Sequence, residues 1–393
     1  MNVVVFTYDY QDARFHKRLR TLRDFGFSVS WLAYSRNKNV PVPPWVLSDF
    51  PHEVLGITFS RRYGHRFLSI LRTICRLSRK NAFFRTADLL YCISPENLVT
   101  AEILRQLRRG SFKVVYELAD VMPAMAGNGI VGICGRLAER WALANVSLVT
   151  ISSPAYLTNY LQAVHNYRGK SFLLENKILS SDIVRPCLQV QQGRGDGLLR
   201  VGLFGNLKCR RSLELIGDLA RELTKVCKFT LRGHVDSTLT GILRRVIDGS
   251  PNVEFGGPYR YPIDLPEIYG GVDLCWGFDF CDTSHNSKWC LANRTYEAGF
   301  CGVPLLIQAG TANGELVERL GIGWSFEEPL LLSISRFLKS LSREEILLKK
   351  RHIAALNVDH FVLNADLPRL KEALQAALRT QAQPDRPDHA LAN

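Results

Sequence analysis

Two successive alternations of short apolar runs with helical patterns predict an α/β fold of two halves, each a parallel sheet with helices on both faces. The 393 residues are long enough for two such domains. Between the alternations lies a polar stretch, Gln191-Gln192-Gly193-Arg194-Gly195-Asp196-Gly197, which reads as a linker.

The first alternation opens at once. Residues 2–7 read as a strand, 12–25 as a helix ended by Gly26, and 28–34 as a second strand. Strand-like runs recur at 55–59, 88–93, 113–118 and 147–151, with helices at 95–109 and 133–144. The rhythm breaks after Leu174. It resumes with strands at 199–204, 229–232, 253–255, 273–278 and 304–308 and helices at 212–226, 265–269 and 292–301. Helices follow at 330–341, 343–354 and 368–380, and 381–393 reads as a disordered tail. These boundaries give domains at 1–180 and 199–360, a linker at 181–198, and a terminal stretch, 361–380, returning to the first domain.

The balance of 50 Lys+Arg against 37 Asp+Glu gives a formal charge of +13, which favours anionic partners. The ten cysteines form no Cys-x-x-Cys pair and no zinc spacing, so they read as free, buried thiols in a reducing cytoplasm. The opening Met1-Asn2-Val3-Val4-Val5-Phe6-Thr7 has no basic stretch or cleavage site and reads as a strand rather than a signal peptide. No run approaches the ~18 apolar residues of a membrane span.

In open parallel sheets, ligands bind beyond the carboxyl ends of the strands. After the first strand comes Tyr8-Asp9-Tyr10-Gln11-Asp12-Ala13-Arg14, without glycine, which argues against a dinucleotide cofactor. No P-loop motif occurs either. In the second half, Gly205-Asn206-Leu207-Lys208-Cys209-Arg210-Arg211-Ser212 follows a strand. Gly205 lets a backbone approach a ligand, Arg210 and Arg211 suit phosphate oxygens, and Ser212 suits a helix cap. A solvated basic turn is the alternative. Further on, Ala292 to Cys301 forms a short helix stopped by Gly302 and Pro304. Its N-terminus suits a diphosphate, and Glu297, one turn in, suits a ribose diol.

This segment resembles the nucleotide-binding element of GT-B glycosyltransferases, especially glycosyltransferase family four, many of which build bacterial exopolysaccharides or O-antigens. The matching residues are Asn293, Arg294, Thr295 and Glu297, then Gly302-Val303-Pro304. The passage from Phe255-Gly256-Gly257 past Tyr259 to Asp264-Leu265-Pro266-Glu267-Ile268-Tyr269 and Val272-Asp273 also resembles that family. So does Asp12-Ala13-Arg14-Phe15-His16-Lys17-Arg18. The chain departs from it at Trp289, where many members carry a second Glu.

The resemblance implies two Rossmann-like domains facing across a cleft. The first would take the acceptor, with Asp12 and Arg14 on that side and Asp120 in the catalytic position; a helix cap is the other reading of Asp120. The second would hold the nucleotide through Gly205, Asn206, Arg210, Arg211, Tyr259, Asn293, Arg294, Thr295 and Glu297. The donor would be a UDP- or GDP-sugar, with no cofactor and no metal, and transfer of a hexose would retain the anomeric configuration. The acceptor would be a lipid-linked oligosaccharide or another glycan. Alternatives are a sugar-nucleotide epimerase of the same fold and a catalytically silent partner subunit.

No acidic residue lies between Glu53 and Asp88, while Arg61, Arg62, Arg66, Arg72, Arg76, Arg79, Lys80 and Arg85 do. Phe67, Leu71, Ile74 and Leu77 fall near one helix face. Such a helix reads as a membrane-docking element using Arg72, Arg76 and Arg79, or as an ordinary core-packed helix. The protein is therefore placed in the cytoplasm, peripheral to the inner face of an anionic membrane. Nucleic acid is not a predicted partner, since no recognition motif accompanies the charge.

Overall fold

Central strands of a parallel sheet are covered on both faces and so are apolar throughout. In the computed structural model, β1 (Asn2–Thr7) is buried at every position after Asn2, and β4 (Leu89–Ile93) at all of its positions. The structure describes residues 1–35, 42–58, 63–79, 83–108, 112–127, 129–183, 197–281 and 285–379. The chain divides into two compact units.

The first unit takes in residues 1–120, 127–174 and the stretch from 366 onward. Its other strands are β2 (Ser28–Ser35), β3 (His52–Ile57), β5 (Lys113–Leu118), β6 (Leu148–Ile151) and β7 (Ser171–Leu173). All pair in parallel, in the order β3-β2-β1-β4-β5-β6-β7. The helix Asp366–Arg379 contacts β5 and β6 of this sheet.

The second unit takes in residues 121–126 and 175–365. It holds β9 (Leu199–Phe204), β10 (Cys227–Arg232), β11 (Val253–Phe255), β12 (Leu274–Trp276), β13 (Leu305–Gln308) and β14 (Gly323–Phe326). These are again parallel, in the order β11-β10-β9-β12-β13-β14. A short β8 (Ile178–Leu179) pairs with β15 (Val362–Leu363) beside them. Each main sheet is the Rossmann-like order, in which the direction of winding reverses beside the first strand.

Several predicted elements shift. β3 starts at His52 rather than 55. The helices Thr240–Asp248 and Ala312–Leu320 and the strand β14 stand where no element was read. The cysteines are not uniformly buried: all described ones carry free thiols, but Cys75, Cys134 and Cys281 are exposed. Burial follows sheet position, and these three lie on helices or a loop. Most of the predicted linker (184–196) and tail (381–393) lies outside the described residues, as do Arg61, Arg62 and Lys80. The side chains of Arg66, Phe67 and Arg79 are likewise outside the description.

Candidate functional site

In the second unit the winding reverses between β9 and β12, which both pair with neighbours on opposite sides. The loops leaving these two strands diverge and open a crevice at their carboxyl ends. Gly205, directly after β9, takes φ 108°, and Gly233, directly after β10, takes φ 141°. A Cβ on Gly233 would meet the Gly205 carbonyl oxygen at 1.6 Å. Only glycine permits both the backbone conformation and this approach.

Arg294 fills the floor of the crevice. Its Nη1 donates to the Trp276 carbonyl at 3.2 Å, and its Nη2 lies 3.7 Å from where a Gly205 Cβ would sit. Burial opposes the Arg294 charge most strongly. Cys275, Asp279, Tyr269 and Tyr259 nevertheless hold its pKa above the ordinary arginine value. Asp279 is matched to it. Burial pushes that carboxyl up, but the Cys281 N–H at 2.9 Å and Arg294 hold it below the usual aspartate range.

Arg294 belongs to the helix Asn293–Phe300, whose N-cap Ala292 makes no side-chain capping bond. Such an N-terminus carries partial positive charge and aligned N–H groups. Asn293 is its exposed first residue. Thr295 is buried and its hydroxyl donates to Asn313 Oδ1 at 2.9 Å, so that hydroxyl fixes the helix. Glu297 is 6% exposed and accepts from the Tyr269 hydroxyl at 3.0 Å. Tyr259 lies close by: burial first, then the Glu297 charge, raises its pKa. Glu297, Arg294, Tyr259 and Gly205 are therefore brought together.

Arg210 and Arg211 are not. Their side chains are 62% and 51% exposed, and they pair with Glu214 and Glu328 respectively. Arg211 also lies over the Phe280 ring at 4.6 Å. Asn206 and Lys208 are exposed on the same loop. Ser212 is not the helix cap. The helix Arg210–Glu222 begins earlier and is capped by Cys209, whose Sγ accepts from the Ser212 N–H at 3.4 Å. Ser212 is buried within the first turn and accepts from Trp276 Nε1 at 3.3 Å.

Sequence reasoning missed Cys209 and Cys281, which hydrogen-bond to each other. That bond from Cys281, with help from Ser212, brings the Cys209 thiol down to about 6 despite burial. It also missed Asp279, whose only signal was its place after a strand.

The first unit reverses its winding between β1 and β4. Asp12 is the N-cap of the helix Ala13–Asp24: Oδ1 accepts from the Arg14 N–H at 2.8 Å and Oδ2 from the Tyr8 hydroxyl at 2.9 Å. Arg14 reaches Asp120 at 3.4 Å, with side-chain exposures of 18% and 49%. One turn on, Arg18 forms a bidentate pair with Glu117 at 2.7 and 2.9 Å, and Tyr91 donates to the same carboxylate at 2.7 Å. Ser94, at the end of β4, takes φ 94°, an unusual conformation for a residue with a side chain. Nothing in the sequence flagged it.

Among the described residues, no three His, Cys, Asp or Glu side chains cluster as metal ligands. No described helix is long and apolar enough to cross a membrane.

No protein-family model matches the chain. The chain is 28% identical over 345 residues to the succinoglycan biosynthesis protein ExoL of Rhizobium meliloti, covering 87% of this chain and 85% of that protein. In solved structures it resembles HepE of Anabaena in complex with UDP, with a TM-score of 0.69 at 16% identity, covering 96% of this chain and all (100%) of that one. It also resembles the sucrose-phosphate synthase of Thermosynechococcus elongatus, with a TM-score of 0.66 at 14% identity, covering 95% and 98%. These likenesses give the fold: the chain has the two Rossmann-like units of a GT-B protein.

Proposed function

We infer that this chain is a glycosyltransferase of surface-polysaccharide synthesis, taking a sugar from a nucleotide-sugar donor. The observation that carries it is the cluster of Arg294, Glu297, Tyr259 and Gly205 at the switch point of the second unit. A buried carboxylate and a half-buried guanidinium lie on one helix, one turn apart. That spacing suits a ribose diol and the diphosphate joined to it. The exopolysaccharide relative and the solved structure carrying UDP support the same class.

The donor proposed is a UDP-sugar, with GDP-sugars second. The diphosphate lies against the N-terminus of the helix Asn293–Phe300 and Arg294, so positive charge comes from the protein. Transfer retains the anomeric configuration, and the leaving phosphate oxygen takes the acceptor proton. The acceptor, a lipid-linked oligosaccharide, is assigned to the first unit. There the half-exposed Asp120 carboxylate pairs with Arg14, and the strained Ser94 stands at the end of β4. Asp12 acts through the helix it caps.

The test is calorimetry of UDP with Glu297→Gln. This change keeps shape and removes charge-assisted bonds worth about 1.5–3 kcal/mol each. Affinity should fall about tenfold or more. An unchanged affinity in a folded variant overturns the assignment. Label transfer from a donor panel to membrane extracts then identifies sugar and acceptor.

A further inference from the structure

The helix Ile130–Leu143 in the first unit is built inside out. It buries Gly132, Glu139, Ala142 and Leu143. It exposes Ile130 (81%), Val131 (53%), Ile133 (45%), Leu137 (60%) and Trp141 (40%). At 3.6 residues per turn, Ile130, Ile133, Cys134, Leu137 and Trp141 fall within about 100° of arc. A helix that merely covers a core places its charge outward and its apolar stripe inward.

Its orientation is fixed by chemistry on the buried side. Glu139 is fully buried and accepts from the Tyr116 hydroxyl at 2.8 Å and the Tyr160 hydroxyl at 2.5 Å, with His165 Nε2 at 3.2 Å. Rotating the helix to hide the stripe would tear this carboxylate from its partners, at the cost of a buried charge. The outward apolar face is therefore a built feature.

The exposed charge on the stripe's own helix is of one sign. The only acid on this helix is the buried Glu139, while Arg136 and Arg140 line one edge of the stripe. The helix Pro95–Arg108 contacts it on one side and the helix Tyr63–Arg79 in turn. These add exposed Leu68, Leu71 and Leu107, with exposed Arg72 and with Arg76, which pairs with Glu53 at 2.8 Å. The helix Tyr63–Arg79 has no acid, and Glu102 on its neighbour is 1% exposed. Among the described residues of these three helices, no carboxylate is exposed.

We propose that this three-helix face docks on an anionic lipid bilayer. The stripe Ile130–Trp141 enters the headgroup boundary and the arginines meet lipid phosphates. Apolar burial and cationic attraction together are what an interfacial helix needs, and Trp141 suits the boundary itself. The proposal rests on the lipid-linked acceptor and specifies how the enzyme reaches it.

The experiment uses the full chain with vesicles of phosphatidylcholine, with and without phosphatidylglycerol. Wild type should cosediment with the anionic vesicles, and high salt should release only part of it. Ile133→Glu with Leu137→Glu should weaken binding by about tenfold or more, with UDP affinity and melting temperature unchanged. Brominated lipid should quench wild-type fluorescence more than that of Trp141→Phe. Charge reversal at Arg72 should weaken binding at low salt only. Equal binding by the Glu variants, or no binding by wild type, overturns the proposal. So does a concentration-dependent dimer without lipid that Leu137→Glu abolishes while vesicle binding persists; the face would then join two copies. Intact UDP affinity with failed vesicle binding leaves the glycosyltransferase standing, and lost UDP affinity with intact vesicle binding sinks the enzyme reading alone.

Discussion

The Tyr269 hydroxyl donates a 3.0 Å hydrogen bond to Glu297 Oε2, joining the helix Leu265–Gly270 to the helix Asn293–Phe300. Tyr269 is fully buried, and burial followed by the Glu297 charge raises its pKa well above that of a free tyrosine. It stays a neutral donor at every physiological pH. Its role is to hold one carboxylate oxygen in place.

Tyr269→Phe should therefore weaken UDP binding through a misplaced Glu297. One neutral–ionic bond is worth about 1.5–3 kcal/mol at most, and part of it is recovered by relaxation. A loss of about three- to tenfold by calorimetry is expected. Wild-type affinity in the Phe variant would remove Tyr269 from the site.

Arg294, rather than Arg210 or Arg211, should dominate diphosphate binding. Arg294→Ala should lower UDP affinity by about ten- to a hundredfold, and Arg294→Lys should restore part, since lysine lacks the fork. UMP, with one phosphate fewer, should be less affected than UDP. Arg210→Ala and Arg211→Ala remove exposed pairs, so each should change affinity by about threefold or less. If either outweighs Arg294, the basic loop is the phosphate clamp.

Cys209 should be the most readily alkylated thiol at neutral pH. With its pKa near 6, it is already thiolate there, so its rate should be nearly flat from about pH 7 to 9. An ordinary exposed thiol rises about tenfold per pH unit over the same range until its own pKa near 8.5. Mass spectrometry of iodoacetamide-treated protein, with Cys209→Ser as control, reads this directly. A Cys209 rate that climbs in parallel with that of exposed Cys134 would show that no thiolate is stabilised. UDP should slow the reaction, because Cys209 caps the helix beside the donor loop.

Glu117 should make stability acid-sensitive. Burial alone would raise its carboxyl pKa, but Arg18 holds it below the ordinary range. A depressed pKa in the folded state means the contribution is full above the unfolded value, about 4.3. It is lost as pH falls through the folded value. Glu117→Gln should destabilise the fold by about 3–5 kcal/mol, because it leaves the buried Arg18 uncompensated. Denaturant titrations should also show a smaller loss of stability below about pH 4.5 in the variant than in wild type. Parallel acid profiles would place the sensitivity elsewhere.

The two α/β halves, the helix from Ala292 onward and Glu297 upon it were legible in the amino-acid sequence. Period-two and period-3.6 patterns and stop residues such as Gly302 and Pro304 are local, and each is written in consecutive residues. The short edge strand β14 was not legible: at four residues, and only partly buried over Gly323–Ser325, it carries no distinctive run.

The sequence by itself determined which elements form and which residue types their loops present. Tertiary structure decided which of several similar side chains meet. Arg210, Arg211 and Arg294 are equal cations on paper; only the packing of the β9 and β12 loops leaves Arg294 in the crevice and turns the others to solvent. Likewise, hydrophobic periodicity gives a helix at 133–144, close to the observed Ile130–Leu143, but not its rotation. That was settled by Glu139, whose burial against Tyr116 and Tyr160 carries the apolar stripe outward. A buried charge must find its partners, and those partners are set by strand order, which no local pattern encodes.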